Sequence, residues 1–259
     1  LAVGQFQVNL AMKRKDELGE LTASFVSMAK KLEQMEDVRK EFISNVSHDI
    51  QSPLSNIKGY ANLLENKALT DEERTKYISI INGEIERLSV LTKQLLLLAS
   101  LDRDEDIMKK KHYNLGKQLK ELVSHYQWLI SDKEIMLSYS IPDIEIYADP
   151  SLLNNVWDNL LSNAIKYNKQ NGSIDISAIE EDGAVTVKFE DTGIGMKQSE
   201  LKRIFDRFYR ADIARTRAVE GAGLGLSIVD NIVKLHGGHV TVNSQESKGT
   251  TFIVRIPVA

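Results

Sequence analysis

The sequence contains no cysteine among its 259 residues, which excludes disulfide bonds, a thiol nucleophile and a thiolate metal site. It also lacks a run of about 18 apolar residues, the length that a membrane-spanning helix needs. A basic surplus is missing too, because 33 Lys and Arg stand against 37 Asp and Glu, and this argues against nucleic acid as a partner. The chain starts at Leu1 without a signal peptide, so we expect a portion of a longer protein.

The first hundred residues show the periodicity of long helices. Apolar residues first recur in alternating steps of three and four, which is typical of a coiled coil. The steps then become four throughout, a stutter-like change that shifts the packing face of the helix. The two parts of this apolar seam are Leu18, Leu21, Phe25, Met28, Leu32 and Met35, followed by Val38, Phe42, Val46, Ile50 and Leu54.

A second helix is predicted to begin at the capping box Thr70-Asp-Glu-Glu73. The link before it, at about 65–69, is short, so the two helices should form an antiparallel hairpin. Two helices cannot bury both apolar seams by themselves. A homodimer that forms a four-helix bundle is the simplest solution.

After the charged stretch DRDEDIMKKK at 102–111, short strands alternate with helices. Turn signals stand at Asn171-Gly172 and Asp182-Gly183, and Pro150 takes the first position of a predicted helix. We therefore predict an α+β chain whose second half is an α/β sandwich, a mixed sheet with helices on one side. The predicted strands are 112–115, 135–141, 145–148, 173–179, 185–190, 239–243 and 251–256, and the predicted helices are 117–131, 150–167 and 224–236.

Three polar side chains share one face of the helix predicted over 150–167. Asn159, Asn163 and Lys166 follow one another at i, i+4 and i+7. An amide oxygen suits Mg²⁺ and a lysine suits phosphate, while asparagine is mildly unfavourable in the middle of a helix. Taken alone, this face fits a solvated helix surface equally well.

Two glycine-containing segments follow. DTGIG at 191–195 comes directly after a predicted strand, where the Asp191 carboxylate can accept a hydrogen bond from an exocyclic amine. GAGLG at 221–225 leads into a helix, an arrangement that makes an anion site, and the loop before it, 206–220, is predicted to be a mobile lid. Neither segment is specific alone. Asp-x-Gly is a common turn, the dinucleotide fingerprint fails at Leu226, and no P-loop pattern occurs in the sequence.

As an ordered set these motifs become specific. Asn-x-x-x-Asn, Asp-x-Gly-x-Gly, a segment FDRF at 205–208 and Gly-x-Gly-x-Gly follow one another within 110–259, and this half resembles the ATP-binding domain of sensor histidine kinases. HDIQSPL at 48–54 resembles the phosphoacceptor box of that family, within a dimerisation and phosphotransfer hairpin over 36–104. The opening 1–35 resembles part of a HAMP linker and its signalling helix.

The resemblance implies a bacterial protein histidine kinase that uses ATP and Mg²⁺. His48 would attack the γ-phosphate of ATP and pass the phosphoryl group to an aspartate in the receiver domain of a response regulator. Asp49 would act as a base or orient the histidine, Asn163 would bind Mg²⁺, and Asp191 would bind the adenine amino group. The other residues implied to bind ATP are Asn159, Lys166, Tyr167, Gly193, Gly195, Phe208, Arg217, Gly221, Gly223, Leu224, Gly225, Leu226 and Thr250.

Helical geometry predicts that His48 is exposed. It lies two residues from both Val46 and Ile50, about 200° around the helix, so it should point away from the apolar seam. An isolated His-Asp pair is most often an ordinary surface feature, and the nucleotide motifs downstream are what favour a phosphoacceptor. Pro53 is predicted to mark a place where the helix can bend.

Ser52 departs from the family pattern, which usually has Thr or Asn at this position. In the family this residue helps to orient the water that dephosphorylates the regulator. Serine keeps a hydroxyl but gains rotamer freedom relative to threonine. We therefore expect a phosphatase activity that is present but weak.

Two other classes of protein compete with this interpretation. An ATPase of the chaperone or topoisomerase type shares the nucleotide fold but lacks a histidine-containing hairpin upstream. A non-catalytic dimeric adaptor would keep the fold, but the intact Asn, Asp and Gly positions argue against it. The resemblance further implies that the full-length protein is anchored in the cell membrane with this portion on the cytoplasmic side.

Overall fold

The computed structural model describes residues 17–66, 68–101, 108–210 and 222–258. The chain divides into two compact units, 1–88 and 89–259. Within the described ranges, no helix is both long and apolar enough to cross a membrane. The start of the predicted HAMP segment, residues 1–16, lies outside these ranges.

Two long helices occupy most of residues 17–101, α1 over Glu17–Leu64 and α2 over Asp71–Leu101. The predicted capping box is confirmed at the start of α2. Thr70 N–H donates to Glu73 Oε2 at 2.9 Å, and Glu73 N–H donates to Thr70 Oγ1 at 3.2 Å. These reciprocal bonds satisfy two backbone donors that the first turn of a helix leaves unpaired.

Contacts between α1 and α2 confirm the antiparallel hairpin. The Asn56 side-chain amide donates to Glu84 Oε1 at 2.7 Å, and the ring centres of Tyr60 and Tyr77 lie 5.4 Å apart. Later residues of α1 therefore meet earlier residues of α2, as antiparallel helices require. Helix α1 is continuous through Pro53.

The second half of the chain is organised by strands. They are β1 (Lys111–Asn114), β2 (Met136–Ser140), β3 (Glu145–Ala148), β4 (Ser173–Glu181), β5 (Ala184–Asp191), β6 (His239–Gln245) and β7 (Gly249–Pro257). Five of them form a mixed sheet in the order β2-β4-β5-β7-β6. The β2–β4 pair is parallel and the other pairs are antiparallel, while β1 and β3 form a separate antiparallel pair. The predicted mixed sheet is thus confirmed.

Three helices complete this half, α3 over Leu115–Asp132, α4 over Pro150–Lys166 and α5 over Gly225–Leu235. Buried residues alternate along the central strands, so one face of the sheet is covered and the other is polar. Between α4 and β5, the Trp157 and Phe189 rings stack with their centres 6.2 Å apart. This core confirms the predicted α/β sandwich.

Local sequence signals fix where α4 begins and where the central hairpin turns. The Asp149 side chain caps α4 by accepting from the N–H groups of Ser151 and Leu152, at 2.8 and 3.0 Å. Asp182 and Gly183 both have left-handed backbone angles, with φ of 52° and 70°, as the two-residue turn between β4 and β5 requires.

Candidate nucleotide-binding and phosphoacceptor sites

Asn159 links α4 to the start of α5. Its amide nitrogen donates to the carbonyl of Asn155 at 2.7 Å. Its amide oxygen lies against Gly225, where a Cβ atom would collide with it. Glycine leaves room for this contact between the two helices, since a Cβ atom would oblige the Asn159 side chain to shift.

Asn163, Lys166 and Tyr167 continue along α4 towards its C-terminal end, and all three are half-buried. The ammonium group of Lys166 lies 5.2 Å from the centre of the Tyr167 ring, which is a cation–π contact. Burial raises the pKa of Tyr167, with the charge of Arg210 opposing it. The Asn163 amide oxygen is a hard ligand of the kind that Mg²⁺ takes.

Asp191 is a buried acceptor at the end of β5. It is 9% exposed, and Oδ1 accepts from the N–H of Gly193 at 2.8 Å. Burial raises the pKa of Asp191 to about 6, while hydrogen bonds from the backbone of Gly193 and Thr250 lower it. At neutral pH the carboxylate is thus mostly ionised, and it can accept further hydrogen bonds.

The turn after β5 holds Asp191 beside a cleft. Gly195 has a φ of +63°, and a Cβ atom there would collide with the carbonyl of Gln245, so the turn packs tightly on the end of β6. The cleft is lined by Lys169, Gly193, Ile194, Glu246 and Ser247. Of the predicted residues, Gly193 lines it, whereas Asp191 and the predicted residues on α4 do not.

The glycine segment is described from Ala222 onward, and Gly221 and Arg217 lie outside the described residues, as does most of the predicted lid. Gly223 accepts from the N–H of Phe208 at 2.9 Å. Leu224 is the N-cap of α5, and no side chain of a described residue caps this helix. The first-turn N–H groups are therefore suited to an anion. Leu226, in that first turn, is half-buried.

His48 lies on α1 with its side chain 83% exposed, as the helical geometry predicts. Its Nδ1 atom is 3.6 Å from Oδ1 of Asp49. This is an ion-pair distance but too long for a hydrogen bond. Ser52, one turn further along the helix, is also exposed.

Sequence reasoning missed Ser244, a buried hydroxyl on β6 that contacts both Thr250 and the turn after β5. Its signal in the sequence is weak, because a serine at an inward position of a strand looks like any small residue. His236 was missed as well. Its Nε2 accepts from the N–H of Asp149 at 3.2 Å, and burial lowers its pKa, so the neutral ring supports the start of α4.

Two family models match the chain. Residues 38–104 match the His Kinase A (phospho-acceptor) domain, and residues 148–259 match the histidine kinase-, DNA gyrase B- and HSP90-like ATPases. Fold and site together therefore define an ATPase domain of this class that follows a phosphoacceptor domain. The phosphoacceptor match excludes a chaperone or topoisomerase module, which is the first of the competing classes.

Several relatives match almost the whole chain. Heme sensor protein HssS of Staphylococcus haemolyticus is 33% identical over 254 residues, which are 98% of this chain and 55% of HssS. Sensor histidine kinase YclK of Bacillus subtilis is 33% identical over 267 residues, which cover 100% of this chain and 56% of YclK. The chain spans about half the length of these relatives. It belongs to the sensor histidine kinases of two-component systems.

Solved structures agree with this assignment. Full-length ShkA in complex with AMPPNP has a TM-score of 0.63 at 28% identity, over 85% of this chain and 46% of ShkA. ThkA in complex with the response regulator TrrA has a TM-score of 0.69 at 24% identity, over 94% of this chain and 68% of ThkA. The second likeness concerns the fold.

Proposed function

We propose that the chain is an ATP:protein-L-histidine phosphotransferase that phosphorylates itself on His48 and passes the phosphoryl group to an aspartate of a response regulator. One observation carries the proposal. The same chain holds an exposed histidine in a phosphoacceptor domain and a buried carboxylate beside glycine turns in an ATPase domain.

The proposed reaction uses the lone pair of a neutral imidazole nitrogen. That nitrogen of His48 attacks the γ-phosphorus of ATP, the bond from this phosphorus to the bridging oxygen breaks, and ADP leaves. Asp49 stabilises the positive charge that develops on the imidazole ring and removes the ring proton. This proton transfer would be favoured if Nδ1 of His48 and Oδ1 of Asp49 came closer than the observed 3.6 Å. Phosphohistidine then transfers the group to a carboxylate of the receiver domain.

Nucleotide binding is assigned to groups on three elements. Asp191 accepts a hydrogen bond from the adenine amino group, Asn163 binds Mg²⁺ with Asn159 beside it, and the first turn of α5 binds phosphate. Bound Mg²⁺ supplies neutralisation of the phosphate charge. The AMPPNP complex of ShkA, at 28% identity, supports this use of the fold. The remaining ATP contacts are proposed for Lys166, Tyr167, Gly193, Gly195, Phe208, Arg217, Gly221, Gly223, Leu224, Gly225, Leu226 and Thr250.

The hairpin is proposed to be the dimerisation element. Six of the large apolar side chains that are exposed on one chain form two stripes, one on each helix, while Met28, Leu63 and Val90 lie outside them. Members of a stripe lie within about 40° of one another, because steps of 7 and 11 residues shift the position by about 20°. A second copy that covers both stripes completes a four-helix bundle. The stripes are Leu32, Ile43 and Leu54 on α1 and Ile78, Ile85 and Leu96 on α2.

We propose the division into a partial HAMP linker and signalling helix over 1–35, a dimerisation and phosphotransfer hairpin over 36–104 and an ATP-binding domain over 110–259. The whole protein, which is longer in the relatives, is proposed to be anchored in the membrane with these parts on the cytoplasmic side. Ser52 is proposed to position water for a weak phosphatase reaction on the regulator.

Labelling with ATP that carries a radioactive γ-phosphate, in the presence of Mg²⁺, tests the proposal. Wild-type protein should acquire label that is stable in base and labile in acid, and His48→Ala should acquire none. His125→Ala is the matched control, because His125 is an exposed histidine of α3, and it should label normally. Persistent labelling of His48→Ala, or an unlabelled wild type, would refute the proposal.

A further inference from the structure

Three buried polar residues form a row across adjacent strands at the edge of the proposed base site. Asp191 on β5 pairs with Thr250 on β7, and Thr250 pairs with Ser244 on β6. All three are at most 9% exposed. Directly paired residues of antiparallel strands point to the same face, so the three side chains are neighbours.

The hydroxyl group of Ser244 uses its full hydrogen-bonding capacity. It donates its single proton to the carbonyl of Gly249 at 2.9 Å, since a carbonyl can only accept. It accepts from the N–H of Met196 at 2.9 Å. Its remaining lone pair faces Oγ1 of Thr250 at 3.0 Å.

This arrangement fixes the direction of the Thr250 hydroxyl. Because Ser244 has one proton and the Gly249 carbonyl can only accept, all three bonds of Ser244 form together only when Thr250 is the donor between the two hydroxyls. Thr250 then has only lone pairs to offer elsewhere. It becomes an acceptor beside a second acceptor, the Asp191 carboxylate.

We propose that Ser244 is a positioning residue that holds Thr250 as an acceptor and thereby makes the base site select 6-aminopurines and reject 6-oxopurines. The inference deepens the proposed nucleotide site and rests on it. An adenine amino group offers protons to both acceptors, directly or through a water. A 6-oxo group would place a third acceptor among them and leave buried groups unpaired, which is the strongest source of discrimination available to a site.

A role as a structural clamp predicts a different result. Ser244 also holds Met196 and Gly249, and its carbonyl accepts from the Gln198 side chain at 3.0 Å. If these contacts only stiffened the cleft, loss of the hydroxyl would weaken every nucleotide by the same factor. The ratio of affinities for two purines separates the two roles, because a general loss cancels in it.

Calorimetric titration of the full chain with Mg-ATP and with Mg-ITP, which carries a 6-oxo group, measures that ratio. We expect wild type to prefer ATP and Ser244→Ala to lower the preference about tenfold, the equivalent of one buried hydrogen bond. Thr250→Val should lower it comparably. In the double variant the Ser244→Ala change should add nothing, since no hydroxyl is left to turn.

Ser138→Ala serves as the matched control. Its hydroxyl donates to Asp175 at 2.6 Å on the far side of the sheet, and its loss should leave the ratio unchanged. An unchanged ratio in Ser244→Ala or in Thr250→Val, or additive changes in the double variant, would overturn the inference. Thr250→Val, which preserves shape, decides the case if Ser244→Ala fails to fold. Wild type that binds neither nucleotide would overturn the proposed function itself, and the inference with it.

Discussion

The two halves of the chain present their reactive groups in opposite ways. His48 stands on a helix with 83% of its side chain exposed, whereas Asp191 is 9% exposed and has a pKa raised to about 6 by burial. A phosphoacceptor has to be reached by a donor and then by a second protein, so exposure serves it. A base-recognising carboxylate needs a site without competing water, so burial serves it.

Apolar residues repeat the contrast. The second half buries most of its large apolar side chains around Trp157, between the helices and one face of the sheet, with Trp128 and Met136 as exposed exceptions. The hairpin leaves isoleucine and leucine exposed along one stripe of each helix. The sandwich therefore completes its hydrophobic core within one chain, whereas the hairpin supplies only half of a hydrophobic core.

The largest expected effect comes from breaking the apolar stripe of α2. Ile85 is 51% exposed on a single chain, and Ile85→Glu would place a charge in each half of the proposed bundle. We expect the dissociation constant of the dimer to rise at least about 100-fold, because dimerisation would bury one introduced charge from each chain. Sedimentation velocity over a concentration series measures this.

Ser79→Glu is the control for that variant. Ser79 lies on the same helix and is exposed, about 100° away from Ile78 around the axis, and the substitution adds the same charge. It should leave the dimer intact. A monomeric wild type, or equal dissociation of both variants, would contradict the bundle.

The next effect concerns the buried carboxylate. Asp191→Asn replaces an acceptor by an amide whose nitrogen donates, so we expect ATP to bind about 100-fold more weakly. The free energy of unfolding of the same variant should be about 1–2 kcal/mol higher than that of the wild type at pH 7.5, because the buried charge destabilises the native state of the wild type. Urea unfolding followed by circular dichroism provides the measurement.

The pH dependence of that stability difference has a definite sign. The pKa of Asp191 is raised from 3.8 to about 6 in the folded state. The free energy of unfolding of the wild type should therefore fall relative to the variant as the pH rises from about 4 to 6, and the difference should be constant above pH 6. The two proteins should be equally stable below pH 4. A variant that is less stable than wild type at pH 7.5 would show that the carboxylate stabilises the fold.

A smaller effect is expected on base recognition in the wild type. Protonation of Asp191 removes an acceptor, so affinity for adenosine should fall as the pH drops through about 6. Well below this pKa the affinity should fall by about tenfold for each pH unit. Adenosine is the suitable probe because it has no phosphate groups that titrate in this range. An NMR titration at pH 5, 6 and 7.5 measures the change, and constant affinity would contradict the assigned role.

Local signals in the sequence account for most of the fold. The capping box at Thr70, Pro150 at the start of α4 and the turn at 182–183 each act through neighbours within four residues, and all three are confirmed. The interactions that sequence reasoning did not find are those between distant segments. Asn159 meets Gly225 across two helices, and a helical period describes only one of them.

Ser244 shows the same limit within the sheet. Its hydrogen bonds reach the turn after β5 and the start of β7, so its role depends on the register of three strands. Alternation along one strand cannot reveal that register. The order of the motifs in the sequence identifies the family, whereas the hydrogen bonds that adjust the base site are visible only in the three-dimensional structure.

The smallest effect concerns the exposed half again. Ser52→Thr restores the residue type usual in the family, and its β-branch reduces rotamer freedom on α1. We expect dephosphorylation of the phosphorylated regulator to become a few-fold faster, in line with about 0.5–1 kcal/mol of rotamer entropy, while labelling of His48 stays the same. Ser55→Thr, one turn along the same exposed helix, is the control and should change neither rate. Since Ser52 and His48 share one helix, a gain in phosphatase rate without a change in labelling would separate the two activities of this surface. Equal dephosphorylation rates in Ser52→Thr and Ser55→Thr would show that Ser52 does not position the attacking water.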